Sequence, residues 1–155
     1  MIAATVDIRT LLDRGETAAL ILLALSTVFY TTSHHTLINR LHQTGIQGEA
    51  LKWIASNLTG RTQKIYIPPY NSQPKNIDCS IPQGSSLSPT LFNIYMNPLA
   101  NIVKTHGLII ILYTDDTQLI LSLSDDPSTT RAKFHNCMKG VAECMKDNCL
   151  KLKTD

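Results

Sequence analysis

The chain has 155 residues, a formal net charge of +2 and 43% hydrophobic residues, which fits one globular domain or part of a larger one. Charged residues make up only 17% of the sequence, so the composition excludes a disordered tail and a coiled coil. A net charge this close to zero does not by itself steer a protein to nucleic acid or to an anionic membrane, so any such function must come from a motif.

Two apolar stretches, Ala18 to Phe29 and Leu108 to Tyr113, are well short of the roughly 20 residues that cross a bilayer. We therefore predict buried strands and no membrane contact. Met1 to Arg9 lacks the basic start and long apolar middle of a signal peptide. We expect an intracellular protein, in the cytoplasm or nucleus and not secreted, whose cysteines are reduced thiols.

The first third of the chain predicts helices around one strand. Approximately helical spacing predicts a helix over Ile2 to Asp13, and Gly15 lies where that helix would stop. Leu20 to Leu25 is almost wholly apolar, which predicts a strand that is covered on both faces or lies centrally in its sheet. Helical spacing continues from Leu37 to Leu58 with an interruption at Gly45 to Gly48, and Trp53 is expected in the core.

The middle of the chain predicts a hairpin and then a helix. Gln63 to Ile67 alternates and should end as a strand at Pro68-Pro69, with Asn76 to Ile81 as its hairpin partner. Amphipathic spacing from Pro89 predicts a helix that ends by Gly107.

Two further strands and a helix complete the pattern. Leu108 to Tyr113 and Leu119 to Leu123 are apolar runs joined by a polar turn over residues 114–117. Asp125-Asp126 caps a last helix that begins near Pro127 and runs to about Asn148. This order of elements predicts an α+β domain with an antiparallel sheet.

The polar turn presents two adjacent carboxylates, Asp115 and Asp116, after Tyr113-Thr114. Only a turn lets neighbouring residues approach one ion, because successive strand side chains point to opposite faces. Mg²⁺ is commonly held by one or two carboxylates together with substrate phosphates, which suits phosphoryl transfer. The alternative is that the two aspartates simply fill a hairpin turn.

A second polar loop, Ile81-Pro82-Gln83-Gly84-Ser85, leads through Ser88 into the helix that holds Leu91-Phe92. Glycine and serine permit close backbone approach, and a helix N-terminus offers free N–H groups to a phosphate. The alternative is an ordinary capped helix entry.

The order of these features resembles the palm of reverse transcriptases of non-LTR (LINE-type) retrotransposons. Pro82-Gln83-Gly84-Ser85 through Leu91-Phe92 is similar to motif B of that family, and Tyr113-Thr114-Asp115-Asp116 is similar to motif C. Leu22 to Tyr30 resembles motif A in a degenerate form. The resemblance implies a palm-like antiparallel sheet with helices on one face, and RNA-directed DNA polymerase (nucleotidyltransferase) activity of a transposable element.

The resemblance also implies roles for individual residues. Asp115 and Asp116 match the catalytic carboxylates that bind Mg²⁺. The residues that match the family's nucleotide-binding positions are Phe29, which would exclude a ribose 2′-OH, and Gln83, Gly84 and Tyr113. The implied partners are an RNA template, a DNA primer and deoxynucleotide triphosphates.

Motif A departs from the family at its most important position. Ala24 stands where the family has a metal-binding aspartate, and Tyr30 and Ser33 replace two further acidic residues. A methyl group does not coordinate a metal, and two-metal phosphoryl transfer needs both ions in place. We therefore expect the isolated chain to be catalytically impaired.

Relative to the family, residues 1–155 correspond to a partial reverse transcriptase domain: a palm core without the upstream fingers, the end of motif D or the thumb. Two alternatives to an enzyme remain open. One is a non-catalytic protein that binds nucleic acid or a partner, and the other is a fossil reading frame without a selected function. Lys52, Arg61 and Lys64 are scattered bases, for which a solvated role is the simplest expectation, and His34 is expected to cap a helix or to be solvated.

Overall fold

A computed structural model describes residues 2–26, 28–82, 84–113 and 116–152, which form a mixed α+β fold with antiparallel sheets. They divide into two compact units, residues 28–95 and the residues on either side of that segment. In chain order the elements are α1 (Ile2–Asp13), β1 (Ala18–Ser26), α2 (Val28–Thr31), α3 (His34–Gln43), α4 (Gly48–Leu58), β2 (Thr62–Gln63), β3 (Tyr66–Ile67), β4 (Tyr70–Asn71), β5 (Lys75–Asn76), α5 (Ser88–Tyr95), α6 (Asn97–Thr105), β6 (Ile109–Tyr113), β7 (Asp116–Ser122), α7 (Pro127–Asp147) and β8 (Lys151–Leu152).

The flanking unit contains a four-stranded antiparallel sheet in the order β6-β7-β1-β8. Helices α6 and α7 pack on each other. Helix α6 also contacts β6, α7 contacts β8, and α1 contacts β1 and β7. Strands β1 and β7 pair from Ala18 opposite Ser122 to Ala24 opposite Asp116. Strands β6 and β7 pair from Ile109 opposite Ile120 to Tyr113 opposite Asp116.

Strand β1 has one buried and one exposed face. Leu23 and Leu25 are buried, whereas Leu20 and Leu22 on the other face are 46% and 67% exposed. The prediction that this strand is covered on both faces is therefore wrong, whereas the alternative of a central strand is confirmed, because β1 lies between β7 and β8. A continuous apolar run indicates high strand propensity, but it does not tell which face is packed.

The middle unit packs α3 against α4 and α5. Its buried side chains include Leu37, Leu41 and Leu58 from the first two helices and Phe92 and Tyr95 from α5. Trp53 is 58% exposed, so its predicted core position is wrong. Helical spacing placed Trp53 beside core positions, but the buried residue of α4 is Leu58 at its C-terminal end.

The same unit carries a two-stranded ribbon, residues 61–77, which we call the β-arm. Its base pairs β2 with β5 and its tip pairs β3 with β4. The expected hairpin partner, Asn76 to Ile81, is wrong, since the strand that faces Thr62–Gln63 is Lys75–Asn76. Between the pair Gln63–Lys75 at the base and the pair Tyr66–Asn71 at the tip, the first strand advances by three residues and the second by four. The ribbon therefore contains a bulge near Gln73-Pro74, which the alternation pattern did not reveal.

The single helix predicted from Pro89 to Gly107 is wrong, since the chain divides at Met96 into α5 and α6. The boundaries of α1 and α7 agree with the sequence. Helix α1 spans the predicted residues, and Gly15 follows it with a φ of +75°. Asp126 caps α7 by accepting hydrogen bonds from the N–H groups of Ser128 and Thr129 at 2.9 and 3.1 Å. None of the helices in the described segments is long and apolar enough to cross a membrane.

Candidate functional site

The sheet of the flanking unit brings together the two segments that resemble motif A and motif C. Ala24 of β1 directly faces Asp116, the first residue of β7, and Tyr113 of β6 faces the same aspartate from the other side. Side chains at facing positions of an antiparallel pair lie on one face, with Cβ atoms about 4.5–5.5 Å apart. Ala24 therefore lies beside Asp116 on one face of the sheet. Asp115 and Thr114 lie outside the described residues.

The face around this row is open and almost uncharged. Ala24, Asp116 and Tyr113 are all exposed, and the next row holds Leu22, Gln118 and Ile111. Asp116 is the single acidic residue of these two rows. Within the described segments, no group of three or more His, Cys, Asp or Glu side chains is placed to hold a metal ion.

In the middle unit, backbone hydrogen bonds join the segment around Phe29 to the start of the loop that resembles motif B. The Ile81 N–H donates to the Phe29 carbonyl at 2.8 Å, and the Ser80 N–H donates to the Thr32 carbonyl at 2.8 Å. The Phe29 ring packs against the buried Phe92 ring of α5, with centroids 5.3 Å apart. Phe29 is half-buried, so part of its ring is held in place while part remains accessible.

The loop that precedes α5 is stabilised by hydrogen bonds within the loop that involve Ser85 and Ser88. The Ser88 hydroxyl donates to the Pro82 carbonyl, and the Ser88 N–H donates to the Ser85 carbonyl at 3.1 Å. Gly84 has a φ of +82°, a conformation that other residues rarely adopt, which explains glycine at this position. Gln83 lies outside the described residues. These hydrogen bonds and the positive φ give the loop a defined conformation at the start of α5.

Two residues that sequence reasoning did not assign hold this region together. His34 is buried, and its Nε2 lies 2.7 Å from the Ser80 carbonyl, so the expectation of a capping or solvated histidine is wrong. The Arg40 guanidinium donates to the Tyr95 carbonyl and lies 4.5 Å from the centre of the Tyr95 ring. An isolated histidine or arginine in a helical pattern gives no signal of such a distant partner.

A family model described as reverse transcriptase (RNA-dependent DNA polymerase) matches residues 2–155. The chain belongs to the reverse transcriptase family. A search of curated proteins gives no match. The match covers both units, so the antiparallel sheet with its aspartate hairpin and the loop before α5 are parts of one reverse transcriptase domain.

Reverse transcriptases use Mg²⁺, so the fit of the described residues to that ion matters. Asp116 supplies one carboxylate, whereas the side chain that faces it from β1 is the methyl group of Ala24. Mg²⁺ is bound through oxygen ligands in octahedral geometry. The described residues of this reverse transcriptase domain therefore do not complete a metal site.

Proposed function

We propose that this domain derives from the reverse transcriptase of a non-LTR, LINE-type retrotransposon and has lost most or all of its polymerase activity. The ancestral reaction is RNA-templated addition of deoxynucleotides to a DNA primer. The observation that carries the proposal is the facing pair of Ala24 and Asp116, because it puts the altered motif A position directly beside motif C. The non-LTR origin rests on the resemblance of motifs A, B and C.

The nucleotide side of the ancestral site is assigned to four residues. Phe29 would limit space at the ribose 2′ position, and its packing on Phe92 supports a ring held in one orientation. Gly84 and Gln83 would lie along the incoming nucleotide, and the positive φ of Gly84 supports close backbone approach. Tyr113 would complete the pocket beside the hairpin.

The metal side is assigned to Asp115 and Asp116, which would bind Mg²⁺ weakly without nucleotide phosphates to complete its coordination shell. A polymerase of this type stabilises both the attacking and the leaving oxygen with metal ions. Loss of the motif A carboxylate at Ala24 removes one anionic ligand from that arrangement. Activity is therefore expected to fall by orders of magnitude.

A non-catalytic protein that binds nucleic acid is the second candidate. It is favoured by Ala24, since the substitution removes a metal ligand while the fold of the sheet around it is kept. Under this alternative the relic of the palm would bind a strand or a protein partner without extending a primer.

Primer extension on an RNA template tests the proposal. The unmodified chain should give no extension in Mg²⁺ or Mn²⁺, and Ala24→Asp should be compared with it under the same conditions. Ala24→Asn is the matched control, because it adds a side chain of similar size without charge. Gain of extension in Ala24→Asp but not in Ala24→Asn would locate the defect at the missing carboxylate. Extension by the unmodified chain that Asp116→Asn abolishes would contradict the claim of lost activity.

A further inference from the structure

The β-arm contributes almost nothing to the core of its unit, yet it is rich in large apolar side chains. Every residue from 62 to 76 is exposed. Four of these residues are Ile65, Tyr66, Ile67 and Tyr70, each between 63% and 76% exposed. Apolar side chains gathered at one place on a surface mark an interaction site more often than scattered ones do.

The charge of the β-arm has a single sign. Residues 61–77 contain Arg61, Lys64 and Lys75 and no aspartate or glutamate, so the arm alone carries more positive charge than the net +2 of the whole chain. None of the three cations forms an ion pair with a described residue. One guanidinium nitrogen of Arg61 is buried without a hydrogen-bond partner within the described ranges. The charge complement of this surface is a polyanion.

Strand pairing sorts these side chains onto two faces. Tyr70 faces Ile67, and the Ile65 and Ser72 backbones are joined by a 2.9 Å hydrogen bond, so Ile65, Ile67 and Tyr70 share one face of the ribbon. Lys75 faces Gln63 and therefore lies on this same face, whereas Lys64 and Tyr66 point to the opposite face. Beside the Ile65 side of the ribbon lies a cavity of about 480 Å³ that is lined by Gln63, Lys64, Ile65, Ser72, Gln73 and Lys75.

We propose that the Tyr70 face of the β-arm binds single-stranded nucleic acid, with bases stacked on Tyr70 and the adjoining isoleucines and a phosphate bound by Lys75. Aromatic platforms next to cations are the usual means of binding single strands without sequence preference. A duplex fits less well, because its bases are already stacked on each other and leave no free face for Tyr70. This binding is separate from the polymerase motifs and does not require that any polymerase activity survives.

Fluorescence anisotropy with the 155-residue chain tests the proposal. The probes are labelled oligouridylate and oligothymidylate of about 12 nucleotides, within the range of known single-strand sites, and a blunt duplex of equal length. The stacking variant is Tyr70→Ala, and Tyr66→Ala on the opposite face is its matched control. The charge variant is Lys75→Ala, and its matched control is Lys64→Ala, which removes the same charge from an exposed position on the Tyr66 face.

Tyr70→Ala should weaken single-strand binding by at least about fivefold, the lower bound for one stacked base, while Tyr66→Ala should leave it nearly unchanged. Lys75→Ala should reduce the slope of log affinity against log salt by about 0.7, the contribution of one phosphate contact to a single strand, whereas Lys64→Ala should leave the slope nearly unchanged. The RNA and DNA probes show which kind of strand is preferred. Absence of single-strand binding, tighter binding of the duplex, or equal losses in the variants and their controls would overturn the proposal. Because no probe is extended in this assay, its failure is distinct from failure of the proposed polymerase ancestry.

Discussion

Ala24→Asp should destabilise the domain in the absence of metal, because it places a second carboxylate directly opposite Asp116. Like charges at facing positions of an antiparallel pair cost roughly 0.2–1 kcal/mol, and both positions are exposed, which favours the lower part of that range. For a chain of this length, 1 kcal/mol corresponds to about 2–4 °C in melting temperature. Relative to Ala24→Asn, the charged variant should therefore melt up to about 4 °C lower.

Thermal unfolding followed by circular dichroism in EDTA at low salt measures this difference. The interaction is between exposed charges, so it should shrink in about 1 M salt, where the Debye length is only about 3 Å. Leu22→Asp is the positional control, since it adds an aspartate to the same face of β1 but opposite Gln118. The melting temperature of Leu22→Asp should change less between low and high salt than that of Ala24→Asp, because an uncharged residue faces position 22. Equal melting temperatures for Ala24→Asp and Ala24→Asn at low salt, or a difference that persists at high salt, would refute the facing geometry.

Three further outcomes follow from packing, capping and exposure. A Cβ added at Gly140 would lie 2.9 Å from Cγ2 of Ile102, so Gly140→Ala should lower the free energy of unfolding by up to about 2 kcal/mol despite a helix-propensity gain of about 1 kcal/mol. In an Ile102→Ala background, where the clash is absent, Gly140→Ala should instead be stabilising. Denaturant unfolding of the unmodified chain, both single variants and the double variant checks this change of sign. Hydrogen bonds from the Ser128 and Thr129 hydroxyls in the first turn of α7 hold the pKa of Asp126 well below its usual range. The contribution of Asp126 to stability is therefore present above about pH 4 and is lost as the pH falls. The difference in melting temperature between the unmodified chain and Asp126→Ala should shrink as the pH is lowered below about 4, and a difference independent of pH would contradict this. The exposed Leu20 and Leu22 should make the chain associate, which light scattering would detect and Leu20→Lys with Leu22→Lys should reduce; a monodisperse unmodified monomer at high concentration would argue against an adhesive sheet face.

Local sequence signals predicted the elements that depend on local physics. The apolar spacing of α1, the Asp126 cap of α7 and the glycine after α1 each satisfy hydrogen-bonding or conformational needs within a few residues, so their positions follow from the sequence. The antiparallel strands on either side of the aspartate turn were also predictable, because two apolar runs separated by a short polar segment have few other ways to pair.

Features that depend on distant partners were not predictable in this way. Whether Leu22 and Trp53 are buried depends on what packs against their element, and hydrophobicity alone does not report it. The buried contact of His34 with the Ser80 carbonyl joins residues 46 positions apart. The two-part β-arm depends on a bulge that shifts its register, which a period-two pattern does not contain.

The candidate site shows the same division. Adjacent aspartates in a turn indicated one side of a metal site from local sequence, whereas the identity of the residue opposite them required a resemblance to a family and then the strand register. The β-arm cations Lys64 and Lys75 are far apart along the sequence. Pairing of the ribbon strands brings them onto one arm.

Isothermal titration of Mn²⁺ into the unmodified chain, Ala24→Asp and Ala24→Asp with Asp116→Asn tests most directly whether one metal ligand is missing from a reverse transcriptase site. The unmodified chain should bind Mn²⁺ weakly, because the position that faces Asp116 offers no oxygen. Ala24→Asp should bind at least about tenfold more tightly, equivalent to about 1.4 kcal/mol, and the added Asp116→Asn should remove that gain. Equal affinities in the unmodified chain and Ala24→Asp would contradict the assignment of Ala24 as the lost ligand position.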